Sequence, residues 1–203
     1  DGDPARGARL IPEVQNFDTA RGVAGGARSG VGSGGMASKA ELRRIRGAEM
    51  SMIFQEPMTS LNPLFTCGYQ IVETIQLHQN VSKAQAEAQA IQLFTEVQLP
   101  SPAQIMNRYP HELSGGQLQR VMMAIAICCN PMILIADEPT TALDVTVQAT
   151  ILDLLKQIQR DRDMAMIFIT HDLGVIAKIA DRVAVMYKGN VVEYGDTLAL
   201  FRQ

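Results

Sequence analysis

Asp137 and Glu138 stand side by side after Ile133-Leu-Ile-Ala136, and Pro139 follows them at once. A short continuous apolar run of this kind reads as a strand buried on both faces. A strand in an open α/β sheet delivers whatever follows it to the edge where ligands bind. Adjacent strand residues point opposite ways, so the two carboxylates cannot share a job. One can hold a hydrated Mg²⁺ while the other faces an attacking water. An isolated Asp-Glu pair is usually only a solvated acidic loop; the apolar run before this one and the proline after it reverse that balance. Two further candidates follow apolar runs of their own. His171 comes after Ala165–Ile169, and Gln55 after Met50–Phe54. A lone histidine is more often structural than catalytic, but this one shares the sheet's C-terminal edge with the carboxylates. His78 and His111 have no such support and are read as structural.

A fourth feature is Leu113-Ser114-Gly115-Gly116-Gln117, which opens a helix with a hydroxyl, two glycines and an amide. Glycines let a backbone approach an anion closely, and the first-turn N–H groups of a helix favour negative charge. The plainer reading is an N-cap and a turn. Arg120, further along the same helix, is read as a surface residue.

The elements that must position these groups alternate. Residues 49–54 end in a buried strand, and Ser82-Lys-Ala-Gln85 has the form of a capping box. Ala86, Ala90, Leu93, Phe94 and Val97 then recur at helical spacing. Gln117 to Cys129 is an apolar-rich helix stopped by Asn130-Pro131. Val147, Ile151, Leu154, Leu155 and Ile158 form the next stripe, capped by Asp144 or Thr146. Ala165–Ile169 is a second buried strand, Leu173–Ala180 a short helix, and Val183–Tyr187 with Val191–Tyr194 a hairpin across Lys188-Gly189-Asn190. Strand and helix alternating in this way give a mostly parallel sheet flanked by helices.

Composition agrees. The 203 residues are 47% hydrophobic and 19% charged, a mix that buries a core and excludes a wholly disordered chain. A net charge of −3 gives no reason to expect a polyanion, and no nucleic-acid partner is expected. The longest apolar run, Val121 to Cys129, is far short of the roughly 20 residues of a membrane span. Cys67, Cys128 and Cys129 are odd in number, and two are adjacent, so a disulfide framework is not expected and a reducing compartment is. Residues 1–48 carry ten of the 16 glycines and little apolar periodicity, so 1–40 is read as poorly structured.

Taken together, these residues resemble the nucleotide-binding domain of ATP-binding-cassette (ABC) ATPases. Gln55 is similar to the family's Q-loop, Leu113–Gln117 to its signature motif and Ile133–Glu138 to its Walker B strand. Thr141-Ala142-Leu143-Asp144 is similar to its D-loop, and His171 to its switch histidine. Gln55 to Pro63, Tyr109 to Leu113 and Ala136 to Gln148 further resemble the dipeptide, oligopeptide and nickel importer subfamily. The resemblance implies a P-loop NTPase-type α/β fold with an inserted helical subdomain. It also implies two cassettes closing head to tail over ATP and Mg²⁺. Ser114, Gly115, Gly116 and Gln117 would then grip the γ-phosphate of ATP held by the partner cassette, and Asp144 would couple the two sites. Glu138 would be general base or water-positioning group, His171 would contact the γ-phosphate, and Asp137 and Gln55 would serve Mg²⁺. The implied partners are a second cassette, transmembrane permease subunits and, indirectly, a substrate-binding protein. The implied location is peripheral, on the cytoplasmic face of a bacterial inner membrane.

One family motif does not match. The phosphate cradle G-x-x-x-x-G-K-[ST] is absent, because Gly30-Val-Gly-Ser-Gly-Gly35 is followed by Met36 and Ala37 where lysine and a hydroxyl are required. Arg9-Leu-Ile-Pro-Glu13 resembles the end of the helix that follows the cradle, which would put the lysine at or before residue 1. The expectation is therefore a chain that begins one motif late, without the N-terminal core strand, and whose own ATP site is incomplete. Residues 1–40 are expected to be an irregular remnant and 41–203 a partial nucleotide-binding domain. Within it, 64–112 form the helical subdomain and 113–130 the signature helix. The alternative is a non-hydrolysing fragment that docks on a membrane subunit or partner cassette.

Overall fold

A computed structural model of the chain describes residues 45–141 and 143–202. The readings made for 1–40, for Arg9-Leu-Ile-Pro-Glu13, for the glycine-rich stretch before Met36 and for Ala142 lie outside the described residues.

Three parallel strands form the sheet in the order β1 (Met50–Ile53), β2 (Ile133–Asp137), β3 (Ala165–Ile169). Ile53 pairs with Ala136, and Ala136 with Phe168, so the three C-terminal ends lie level. Parallel neighbours need a crossover, and here the two differ greatly in size. Between β2 and β3 runs one helix, α6 (Val145–Asp161). Between β1 and β2 run α1 (Pro57–Ser60), α2 (Cys67–His78), α3 (Lys83–Glu96), α4 (Pro102–Ile105), a 3₁₀ turn at Pro110–Glu112, and α5 (Gly115–Ile127). After β3 come α7 (Leu173–Ile179), the hairpin β4 (Arg182–Tyr187) and β5 (Asn190–Asp196), and α8 (Thr197–Leu200).

Local chemistry explains most of the boundaries. Ser82 and Gln85 cap α3 reciprocally, as their spacing predicts, and Ser114 and Gln117 do the same for α5. Asp144, rather than Thr146, caps α6 by accepting the Val147 N–H. The β4–β5 hairpin turns on Lys188 and Gly189, at φ of +48° and +81°. Both central residues at positive φ match the right-handed twist of paired strands.

The core is one cluster. It joins Ile53 and Leu134 of the sheet to Ile71 and Ile75 of α2, Phe94 of α3, Met123 and Ile127 of α5, and Ile151 and Leu155 of α6. Full burial of each such side chain contributes about 1.5–3 kcal/mol. The helical stripes read from sequence are buried here, including Ala86, Ala90, Leu93 and Val97 of the α3 segment.

Two readings need correction. Neither strand run is buried on both faces. In β2, Leu134 and Ala136 are buried while Ile133 and Ile135 are only half-buried. In β3, Ile167 is 52% exposed and Ile169 46%. Among the described residues β3 has a strand on one side only. Arg120 is not a surface residue either. Its guanidinium donates to the Val97 carbonyl at 2.7 Å and to Gln98 Oε1 at 3.4 Å, tying α5 to the end of α3.

Candidate functional site at the strand ends

The level register carries Gln55, Glu138 and His171 past the ends of three adjacent strands to one place. Glu138 is the hub. Its Oε2 accepts the Gln55 amide N–H at 2.8 Å and the Thr141 hydroxyl at 2.9 Å, and its Oε1 lies 2.9 Å from His171 Nδ1. The Glu138 backbone turns out of the strand at φ +43°, in the left-handed region that an L-residue rarely adopts. Its N–H is still held by the Ile169 carbonyl at 2.9 Å. Strained backbone of this sort costs of order 1–3 kcal/mol and collects at functional sites. Here it re-aims the carboxylate towards the histidine.

The electrostatics follow from these contacts. The His171 hydrogen bond, then that from Thr141, lower the Glu138 pKa below the usual carboxylate value. The same bond, with the carboxylate's charge and that of Asp172, raises the His171 pKa. His171 is 74% exposed in its side chain and Glu138 20%, so solvent screens their attraction and leaves the histidine able to swing away.

Asp137, the last residue of β2, has other neighbours. It lines an open cleft with Phe54, Gln55, Glu56, Thr59 and Ser60. Gln55 therefore bonds Glu138 and lines the same cleft as Asp137. Its Nε2 is used on Glu138, which leaves its oxygen for the cleft. Asp137 and that amide oxygen are hard donors suited to Mg²⁺. Among the described residues no group of three or more acidic, histidine or cysteine side chains could hold a metal. An ion here would take most of its ligands from water and phosphate, which is how Mg²⁺ usually binds.

Ser114, Gly115, Gly116, Gln117 and Asp144 form a second group. Ser114 Oγ accepts the Gln117 N–H at 3.3 Å, and Gln117 Oε1 accepts the Ser114 N–H at 3.0 Å. Both side chains thus cap α5, and the N–H groups of Gly115 and Gly116 are by position without intrahelical acceptors. A Cβ on Gly116 would come within 2.9 Å of Val147 Cγ1, so glycine is what allows this end of α5 to lie against α6. Asp144 is exposed at the start of α6 and accepts the Val147 N–H at 2.9 Å. The segment after β2 links the two groups, through Thr141 on Glu138 and Gln148 Nε2 on Thr140 Oγ1 at 3.3 Å. No described hydrogen bond joins Ser114 or Gln117 to Glu138.

Sequence reasoning placed Thr141 in the D-loop-like segment but gave its hydroxyl no role at Glu138. A hydroxyl three positions after a carboxylate that ends a strand was the available signal. His78 and His111 stay away from the hub: the His78 ring packs against Gly47, and His111 stacks on Tyr109 with ring centroids 5.6 Å apart.

The model of the ABC transporter family matches residues 29–141. The chain belongs to the ABC transporter family. Among its curated relatives, the glutathione import ATP-binding protein GsiA of Escherichia coli (strain K12) is 58% identical over 162 residues, covering 80% of this chain and 26% of the relative. GsiA of Salmonella choleraesuis (strain SC-B67) is 58% identical over 164 residues, 81% of this chain and 26% of the relative. This ABC transporter chain thus spans about a quarter of the length of those relatives. Solved structures agree on the fold. The ATP-binding cassette MJ0796, a dimer in a post-hydrolysis state bound to ADP and Pi, superposes with a TM-score of 0.70 at 28% identity, covering 79% of this chain and 68% of that one. For cbiO1 of Clostridium perfringens, part of the ABC transporter complex cbiONQ, the TM-score is 0.70 at 25% identity, with 82% and 64% covered. The α/β arrangement described above, parallel sheet with helices, is that of ABC cassettes.

Proposed function

We propose that this chain is an ATP-hydrolysing cassette segment of an importer for small peptides, working with a second cassette across ATP and Mg²⁺. The observation that carries the reading is the Glu138 hub, where side chains from the ends of three adjacent strands meet on one carboxylate. Glu138, ionised at neutral pH, holds the attacking water and accepts its proton. His171, leaving Glu138, donates from the imidazole to the γ-phosphate. Asp137 and the Gln55 oxygen would hold Mg²⁺, which when bound would offset the charge on the phosphates. Gln55 reports that state to Glu138 through its amide. The N-terminus of α5, with Ser114, Gly115, Gly116 and Gln117, offers N–H groups to the phosphate held by the partner cassette, and Asp144 lies beside it at the start of α6.

Helices α2 to α4, within 64–112, form the subdomain that meets the permease subunits. The importer reading is supported by the likeness to GsiA, a glutathione import ATP-binding protein, and glutathione is itself a small peptide. Among the described residues no helix is long and apolar enough to cross a membrane, so the chain would reach one through permease partners, on the cytoplasmic face. The test is ATP turnover of the chain assembled with a second cassette. Glu138→Gln should lower it about 10²–10⁴-fold with nucleotide still bound; unchanged turnover refutes the role. A second reading has its own observation, the reciprocal Ser114–Gln117 cap of α5, which makes no described bond to Glu138. In that reading the chain completes a partner's site through α5 without hydrolysing ATP itself. Turnover that depends on Ser114 but not on Glu138 would favour it.

A further inference from the structure

Cys128 and Cys129 play no part in the site above, yet their arrangement is specific. Cys128 caps the C-terminus of α5 and is buried, while its neighbour Cys129 is half-buried. Their Sγ atoms lie 3.6 Å apart, and Cys129 Sγ is 4.0 Å from the Thr74 carbonyl of α2. The backbone beneath them is pinned on three sides. The Cys128 carbonyl accepts Gln79 Nε2 at 3.1 Å and Gln89 Nε2 at 3.2 Å. Arg162 Nη1 donates to the Ile127 carbonyl at 3.1 Å and to Asn130 Oδ1 at 3.3 Å.

A disulfide is a poor fate for this pair. Neighbouring Cα atoms sit about 3.8 Å apart, below the roughly 4.4–6.8 Å that disulfides span, so the bond would be strained and readily reduced. The pair therefore persists as a dithiol. A zinc centre is no better served, because it needs four ligands. Among the described residues no group of three or more His, Cys, Asp or Glu side chains is placed to supply them. Geometry separates the remaining ions. With bonds of roughly 2.3 Å, a linear S–metal–S bridge needs sulfurs about 4.6 Å apart. A pyramidal centre with an angle of about 100° and the same bonds needs about 3.5 Å. The observed separation fits the second.

We infer that Cys128 and Cys129 form a binding site for a trivalent organoarsenical, a pyramidal thiophilic centre that takes two sulfurs from the protein and keeps one carbon substituent. Cys129 attacks first, from the half-exposed side. Hydrogen bonding from Cys128, and then from Gln79, holds its thiol pKa below the usual value, while the Cys128 thiol is raised by that same bond and by burial. Both S–H bonds and the arsenic–oxygen bonds break, two As–S bonds form, and the two protons leave with the oxygen as one water. Arsenic stays trivalent and no electrons are exchanged.

The probe is phenylarsine oxide added to the reduced, native 203-residue chain, read by intact mass and by mapping the modified peptide. One adduct per chain, formed with loss of one water and located on the peptide holding Cys128 and Cys129, is expected. It should resist excess monothiol and be removed by a small dithiol. Since the second As–S bond is intramolecular, Cys129→Ser should weaken retention about 10²-fold or more, whereas Cys67→Ser should leave it unchanged. An adduct only in urea, one that survives monothiol in the Cys129→Ser chain, or one mapped to Cys67 would overturn the inference. Peptide mapping in the unaltered chain separates these outcomes even if a variant fails to fold.

Discussion

Replacing Arg162 with alanine should destabilise the fold by about 2–3 kcal/mol, and the figure can be worked from its contacts. The guanidinium grips Glu96 with two bonds, Nε to Oε1 at 2.9 Å and Nη2 to Oε2 at 2.7 Å. It also serves the Ile127 carbonyl and the Asn130 side chain. One residue thus ties together the C-terminal ends of α3, α5 and α6. Breaking a fully buried pair by removing one partner costs about 3–5 kcal/mol, whereas an exposed pair is worth about 0–1. The side chains here are 18% and 33% exposed, so water can partly rehydrate Glu96, and the cost falls between those limits. At about 2–4 °C per kcal/mol for a chain of this size, the melting temperature should drop by roughly 4–12 °C. Arg162→Lys keeps the charge but loses the two-pronged geometry, and should recover only part of the loss. Urea unfolding of Arg162→Ala, Glu96→Ala and the double variant would separate the pair's coupling from its other contacts. A loss below about 0.5 kcal/mol, or strict additivity in the double variant, would refute the brace; about 1 kcal/mol or more of coupling is expected.

Proton titration offers a second check. Because Glu138 raises the His171 pKa, the histidine's share of the pairing is complete below the ordinary imidazole value and is lost as pH rises through the raised one. The Glu138 share is present above the ordinary carboxylate value and is lost as pH falls through the depressed one. NMR titration should place the His171 midpoint above 6.5, and Glu138→Gln should bring it down; an unmoved midpoint counts against the contact. Gly68→Ala would press a methyl against the Met106 carbonyl, with Met106 Cα at 2.9 Å, and should cost about 1–3 kcal/mol in urea unfolding; a neutral result would mean that α2 and α4 can separate freely. Ser82→Ala removes one half of the α3 capping box and should cost about 1 kcal/mol by the same assay, with Ser82→Thr nearly neutral.

Much of the site was legible because its signals are local. Apolar runs that end in Gln55, Asp137-Glu138 and His171 name strand ends, and the capping boxes at Ser82 and Ser114 lie within four residues of chain. That Asp137 and Glu138 face different surroundings was expected from strand alternation, but the turn of Glu138 out of the strand at φ +43° is what aims its carboxylate. What stayed hidden depends on neighbours far along the chain. Arg120 looked like a surface cation until it met the Val97 carbonyl, 23 positions earlier. His171 met Glu138 only across 33 positions of chain.

Residue types and their spacing were enough to determine the alternating strands and helices, the caps and the residues at the strand ends. Each rests on backbone periodicity or on a hydrogen bond within a turn. Tertiary structure alone decided that Gln55 and His171 share one carboxylate, because that depends on the level register of three strands drawn from distant parts of the chain. It also decided that Arg162 closes on Glu96, 66 positions away, and that Ile167 and Ile169 of β3 are exposed. Such pairings depend on which surfaces the core brings together, and no local pattern records that choice.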